Sequence, residues 1–124
     1  MVPFALLPEG AGFIIHVSAL AAHTKDMLAT PAVSLMIVST QTDVPAQARA
    51  RVTIQGEAVA IAGEAPIHAI AKRLYLERFP QSAQTFELAD FALFAIRPRM
   101  ARYVGGFAQA RTVTAETLAK TLAG

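Results

Sequence analysis

The 124-residue chain contains no cysteine. Disulfide bonds, thiolate catalysis and cysteine-bound zinc are therefore excluded. Only 16% of the residues are charged, and 11 basic and 9 acidic side chains give a net charge of +2. The basic residues are spread along the chain rather than clustered, which is not the pattern of a nucleic-acid-binding protein. We therefore expect no nucleic-acid partner.

The chain shows no sign of a membrane or secretory segment. Its N-terminus lacks the basic region and apolar core of a signal peptide. No apolar run approaches the roughly 20 residues that a membrane-spanning helix needs. We therefore expect a soluble, cytoplasmic protein without a membrane partner.

Length and hydrophobic content together indicate one domain that associates with another subunit. A chain of this length fits a single domain covering residues 1–124. Hydrophobic residues make up 54% of it, which is more than a small monomer easily buries, because small domains expose much of their surface. We expect part of this apolar surface to be covered between subunits.

Several common catalytic and cofactor motifs are missing. The chain has neither the Gly-x-Gly-x-x-Gly turn of dinucleotide-binding folds nor the phosphate-binding loop of nucleotide hydrolases. The nucleophile elbow of serine hydrolases is also absent. His16, His23 and His68 do not show the spacing of metal ligands, so no metal site is predicted.

Hydrophobic alternation and turn residues predict strands and one helix in the first half of the chain. The strands are predicted at residues 2–7, 13–17, 33–38 and 49–62, and the helix at residues 19–29. Ser18 is the predicted N-cap of that helix. Gly56 interrupts the longest strand, which predicts a bulge or a sharp bend there.

The second half of the chain is predicted to contain two helices and further short strands. A helix is predicted to begin near Pro66 and to end before Pro80. The later elements are strands at residues 91–96, 102–107 and 110–113, and a helix at residues 115–122 capped by Thr114. Pro98 is predicted to separate the first two of these strands. The order favours a mainly β fold, an antiparallel barrel with accessory helices, over a parallel doubly wound sheet.

Two segments carry side chains suited to an anionic ligand. The chain leaves a strand and enters a helix after Ser18, and His23 and Lys25 follow, so this helix start could hold a phosphate. An ordinary capped helix is the alternative. Arg49 and Arg51 share one strand face, because side chains alternate along a strand. These two arginines either contact an anionic ligand or are simply exposed to water.

A third segment, near the C-terminus, is suited to a flat ligand. Gly105 and Gly106 are adjacent, and glycine lets a ring or another backbone approach closely. Tyr103 and Phe107 flank the pair and could pack on such a ring. A simple bend in the chain is the alternative.

Taken together and in order, these segments resemble the pyridoxamine-phosphate-oxidase-like FMN-binding split-barrel family, and most nearly its haem-utilisation branch. The resembling stretches span nearly the whole chain: Val2-Pro3-Phe4-Ala5, residues 18–27, Pro31-Ala32-Val33-Ser34-Leu35, residues 50–56, Arg78-Phe79-Pro80, residues 90–94 and residues 102–110.

The resemblance implies a six-stranded antiparallel split barrel and a homodimer with two FMN molecules in clefts at the subunit interface. The residues that match the family's cofactor site are Ser18, His23, Lys25, Arg51, Tyr103, Gly106 and Phe107. By this resemblance the first three meet the FMN phosphate, the arginine faces the flavin, and the last three line the same cleft.

The chain departs from the family pattern in two places. The Ser-Arg-Lys phosphate triplet of true pyridoxamine phosphate oxidases is here Ala21-Ala22-His23, which argues against oxidation of vitamin B6. Family members usually carry one more strand and a helix before Val2-Pro3-Phe4. The barrel therefore lacks its N-terminal strand, the given start is late, or a partner covers that edge.

Three functions are consistent with these features. The leading hypothesis is an FMN-binding flavoprotein, an oxidoreductase whose flavin transfers hydride or electrons and whose substrate cannot be identified from the sequence. The alternative is a haem-binding or haem-degrading protein of the same fold, with a histidine as the iron ligand. The third hypothesis is a non-catalytic flavin-binding module.

Overall fold

The computed structural model describes residues 2–38, 50–105 and 110–123 of the chain. Within them one antiparallel sheet contains the strands β1 (Ala5–Leu6), β2 (Phe13–Ser18), β3 (Ala32–Val38), β4 (Arg51–Ala60), β5 (Phe91–Val104) and β6 (Ala110–Thr114). The helices are α1 (Ala22–Ala29), α2 (Pro66–Arg78) and α3 (Ala115–Ala123), and short 3₁₀ segments lie at Pro8–Gly10 and Pro80–Glu87.

Strand β5 is the centre of the sheet. Strand β4 pairs along one of its edges, and the other edge is shared between β2 at residues 91–96 and β6 at residues 100–104. The strand order is β1-β2-β5-β4-β3, so within the described residues the sheet ends at β1 and β3 and does not close. This confirms the predicted mainly β, six-stranded antiparallel split-barrel architecture.

The predicted break at Pro98 is wrong, because residues 91–104 form one continuous strand. Gln55 pairs with Met100 and Gly56 pairs with Pro98, so Arg99 is an extra residue opposite the β4 ladder. The pairing with β2 ends before Pro98 and the pairing with β6 begins after it. On the edge shared by β2 and β6, no strand therefore pairs with Pro98, which is where a residue without an N–H is tolerated.

The bulge predicted at Gly56 is confirmed by the register shift between Gln55 and Gly56. Gly56 is buried, and a Cβ atom built on it would lie 2.6 Å from the carbonyl oxygen of Arg97. Only glycine lets the two strands approach this closely, which is why the long strand bends here.

Successive side chains of β2 point to opposite faces of the sheet and belong to two separate hydrophobic clusters. Phe13 and Ile15 pack inside the curled sheet with Phe94, together with partly buried side chains of β3 and α3. Ile14 points to the opposite face, where α2 covers the sheet through Tyr75 and neighbouring apolar residues. The core therefore lies on both sides of β2 and of the first half of β5.

The helix starts agree with the sequence in two of three cases. Pro66 occupies the first turn of α2 as predicted, and the Thr117 amide donates to the Thr114 hydroxyl at 3.2 Å, which confirms the predicted cap of α3. The predicted cap of α1 by Ser18 is wrong: the helix begins at Ala22, and Ala21 is its N-cap without a side-chain hydrogen bond. Three residues of turn separate the strand from the helix, so the Ser18 side chain is too early in the chain to cap it.

Among the described residues, no helix has both the length and the apolar composition required to cross a membrane.

Candidate functional site

Ser18 ends β2 and organises the turn into α1. Its hydroxyl accepts a hydrogen bond from the Leu20 amide at 3.2 Å, and its carbonyl accepts one from the Thr24 hydroxyl at 2.6 Å. Thr24 is 1% exposed, so its hydroxyl is used internally. These bonds fix α1 onto the end of the strand and direct His23 and Lys25 to solvent, where both are exposed.

Arg51 begins β4 and lies on a broad, uncovered side of the sheet. Its register partners are Val38 on β3 and Val104 on β5, whose side chains share its side of the sheet. We call this side the outer face: Ser34, Met36 and Val38 of β3, Arg51, Thr53 and Gln55 of β4, Met100, Arg102 and Val104 of β5, and Ala110, Thr112 and Thr114 of β6.

The outer face combines apolar side chains with cations. Met36 is 63% exposed, Val38 44% and Met100 39%, and Arg102 is also exposed. Single exposed apolar residues are common on proteins, but three on one sheet face, Met36 and Val38 on β3 and Met100 across β4 on β5, favour a surface for a partner or ligand. None of the described helices packs on this face through a core cluster, because both clusters are built on other surfaces.

Tyr103 lies on the opposite side of the sheet from Arg51, because its register partners are Val52 and Arg111. The Arg111 guanidinium lies 5.3 Å from the centre of the Tyr103 ring. The ring also rests on Gly105, where a Cβ atom would lie 2.8 Å from the ring carbon Cε1. Gly105 thus gives room to this tyrosine.

Gly106 and Phe107, the other two predicted residues of the C-terminal segment, lie outside the described residues, as does Arg49.

Within one chain the structure brings together two of the three segments predicted to form one site. Arg51 pairs with Val104 at the last residue of β5, next to Tyr103 and Gly105, whereas Ser18 pairs with Phe91 at the first residue of that strand. Fourteen residues of extended strand measure up to about 45 Å. Convergence of these segments on one ligand requires a second copy of the chain and stays a prediction.

His16 lies in an aromatic cluster on the α2 side of the sheet. Its ring stacks on Phe86 with centroids 3.8 Å apart and planes inclined by 8°, and Tyr75 meets it edge-on at 5.7 Å. Burial lowers the pKa of His16, and the neighbouring His68 lowers it further. This histidine is packed, and its ring faces are not free for a ligand.

Nδ1 of His16 lies close to a hydroxyl of the 3₁₀ segment Pro80–Glu87. The Thr85 hydroxyl is 3.4 Å from this nitrogen and donates its own hydrogen to the Ser82 carbonyl at 2.7 Å. Of the three histidines, only His23 is exposed, and the described residues contain no group of three or more metal-ligating side chains.

The sequence did not predict that residues of β3, β4 and β5 form one outer face. Met36, Met100 and Arg102 were not among the predicted site residues, although residues 100–103 alternate between exposed and covered positions. This alternation was the available signal, but it gives only the side on which a residue lies within its own strand. The register that brings three strands into one surface involves pairing between distant parts of the chain.

Comparison with known proteins shows one family and a group of similar structures. The family model described as pyridoxamine 5'-phosphate oxidase matches residues 1–105. The chain is 37% identical over 110 residues to the chloroplastic haem oxygenase HOZ of Arabidopsis thaliana, and 28% identical over 118 residues to the haem oxygenase HutZ of Vibrio cholerae. The structure of a haem-binding protein from Mycobacterium smegmatis superposes with a TM-score of 0.84 at 28% identity.

These similarities cover most of this chain but only part of the relatives. They include 89% of the chain for HOZ, 94% for HutZ and 95% for the mycobacterial protein. In the other direction, the chain spans 32% of HOZ, 66% of HutZ and 47% of the mycobacterial protein.

Proposed function

Because the chain belongs to the pyridoxamine 5'-phosphate oxidase family, matched over residues 1–105, and is similar to proteins named for haem, we propose that it binds haem. This is the alternative of the sequence analysis, and it is better supported than the leading FMN hypothesis. The observation that carries it is the outer face, where exposed methionine and valine side chains lie beside arginines.

Haem is a flat, largely apolar ring with two carboxylates, and the outer face has both matching kinds of group. Met36, Val38 and Met100 offer apolar contact for the ring. Arg51 and Arg102 offer cations for the carboxylates. When bound, haem iron supplies the chemistry of dioxygen activation and oxidative ring cleavage.

We propose His23 as the residue that holds the iron. A haem ligand needs a ring nitrogen that the iron can reach, and the His16 ring is packed against Phe86 and Tyr75 under α2. His68 is half-buried on α2, whereas His23 is exposed on α1. Replacing His23 by alanine is expected to change the spin state of bound haem, and His68→Ala is the matched control.

We further propose that two copies associate through their outer faces and hold haem in the cleft between them. The apolar content of the chain is high for a monomer of this size, and the exposed large hydrophobic residues of its described strands, Met36, Val38 and Met100, lie on this face. A second copy would also bring the helix of one chain, with His23 and Lys25, towards the outer face of the other.

FMN is the second candidate ligand, because the matching family is described by an oxidase name and the turn after Ser18 carries His23 and Lys25 at a helix start. A non-catalytic role with either ligand is compatible with the same features.

Parallel titration of the purified protein with haem and with FMN tests the proposal. We expect a shifted Soret band that saturates with haem, and unchanged fluorescence of added FMN. Quenching of flavin fluorescence without a Soret change would contradict haem binding and assign the site to FMN. Mass spectrometry of small molecules released from the protein as purified provides an independent check.

A further inference from the structure

Arg51 and Arg102 are diagonal neighbours on the outer face. Arg51 lies opposite Val104, and Arg102 lies opposite Thr53 on the same pair of strands. Diagonal positions of an antiparallel pair have Cα atoms about 7–8 Å apart. Both guanidinium groups can therefore reach one ligand that lies on this face.

Neither arginine has a carboxylate partner within residues 2–38, 50–105 and 110–123. The ion pairs of that part of the chain join Arg99 to Glu57 and Lys120 to Glu116. Two neighbouring cations without a carboxylate between them repel each other, and an anionic ligand that binds both offsets this repulsion. The repulsion is greatest where water is excluded, as it would be between two subunits.

The surroundings of the two arginines select the kind of anion. Met36 is the register neighbour of Thr53 and lies in the same cross-strand row as Arg102. Its side chain is 63% exposed and diagonal to Arg51, while Val104 is the cross-strand partner of Arg51 and lies two residues from Arg102, so apolar side chains lie beside both cations. A small hydrated anion gains nothing from this apolar surface, whereas a carboxylate attached to an apolar ring uses both.

We propose, on the basis of the haem-binding function above, that Arg51 and Arg102 together bind the two propionate carboxylates of a tetrapyrrole. The two propionates extend from the same edge of the macrocycle, which suits a pair of cations at adjacent positions. Each arginine forms a charge-assisted hydrogen bond to one carboxylate, and the ring lies against the apolar side chains beside them. Arg102 is thereby assigned to the ligand site together with Arg51.

A comparison of the affinities for haem and for haem dimethyl ester distinguishes propionate binding from haem binding in general. The ester has the same ring and iron but no carboxylate charge. Both are titrated into wild type, Arg51→Met, Arg102→Met and the double variant. Methionine keeps most of the apolar length of arginine and removes its charge. Arg73→Met, an exposed arginine of α2, is the matched control. Unchanged circular dichroism and melting temperature show that each variant is folded.

Each single variant is expected to weaken haem binding about tenfold, the effect of losing one hydrogen bond between charged groups. The wild-type protein is expected to bind the ester more weakly than haem. The affinity for the ester is expected to be the same in the wild type and in all variants. Equal haem affinity in wild type and the double variant overturns the assignment, as does an equal loss for haem and ester. If the arginine variants lose affinity for FMN but keep their affinity for haem, the two arginines bind a phosphate, and the assignment to propionates is overturned. If wild type binds neither haem nor ester, the proposed function itself fails.

Discussion

The imidazole of His16 and the ring of Phe86 stack face to face, with centroids 3.8 Å apart. The stack joins β2 to the 3₁₀ segment Pro80–Glu87, and Lys72 lies 5.3 Å from the centre of the same phenylalanine ring. Within the described residues, the charged and titratable neighbours recorded for this cluster are Lys72, which lies over the Phe86 ring, and His68, which lowers the pKa of His16. The cluster is therefore stable with a neutral imidazole and is weakened by a proton.

We predict that the protein loses stability as the pH falls below about 6.5, the ordinary pKa of histidine. The pKa of His16 is lower than this in the folded protein, so the unfolded chain binds the proton more readily. Stability is then complete above pH 6.5 and declines towards the folded pKa. Urea unfolding at several pH values measures this. His16→Phe keeps the stack and should show a smaller decline, and an identical decline would contradict the prediction.

Gly56→Ala is expected to destabilise the fold by about 1–3 kcal/mol, the usual cost of forcing an atom into a packed site. The new Cβ atom would meet the carbonyl oxygen of Arg97 at 2.6 Å, and backbone atoms of a paired strand cannot move aside cheaply. Gly63→Ala has no atom within 4 Å of the new Cβ and should change stability by less than about 0.5 kcal/mol. Equal urea midpoints for the two variants would contradict the packing argument.

Thr114→Ala is expected to cost about 1 kcal/mol, because the hydroxyl caps α3 by accepting the Thr117 amide. Thr114→Ser keeps this acceptor and should retain most of the stability. Thermal unfolding of the three proteins provides the measurement. Similar losses in the serine and alanine variants would show that the methyl group, rather than the cap, is responsible.

Met36→Lys is expected to convert the proposed dimer to monomers. It adds a third cation to a face that already carries Arg51 and Arg102, and an uncompensated charge between two outer faces costs several kcal/mol, so the dissociation constant should rise by at least about 100-fold. Sedimentation velocity over a range of concentrations gives the oligomeric state. Ile67→Lys places the same charge on α2, where Ile67 is 40% exposed, and should leave the dimer intact. A wild-type protein that sediments as a monomer would contradict the dimer directly.

Local features of the sequence predicted the strands, the bulge at Gly56 and the cap at Thr114. Each depends on a residue and its near neighbours in the chain, so alternation and turn chemistry are sufficient. The effect of Pro98 could not be predicted in this way. Pro98 lies in a gap between the partners along one edge of β5, and that gap depends on where the pairing with β2 ends and the pairing with β6 begins.

The candidate site was predicted only in part for a similar reason. Alternation puts Arg51 on one face of its strand, but it does not give the register against β5 that makes Arg102 its neighbour. His16 could be assigned to a strand, yet its stacking partner is in a 3₁₀ segment far along the chain. The family resemblance supplied Ser18 and Lys25 as cofactor residues, and their role is still a prediction.

Strand β5 comes late in the chain, yet both halves of the sheet pair with it. During synthesis, β2 and β4 leave the ribosome well before residues 91–104. Until β5 is available, the edge of each strand that pairs with it has no hydrogen-bond partner. The β1–β2 and β3–β4 pairs can join into one sheet only after residues 91–104 have been synthesised, so formation of the full sheet on the ribosome waits for β5. A nascent chain stalled before residue 91 is therefore expected to be a substrate for chaperones.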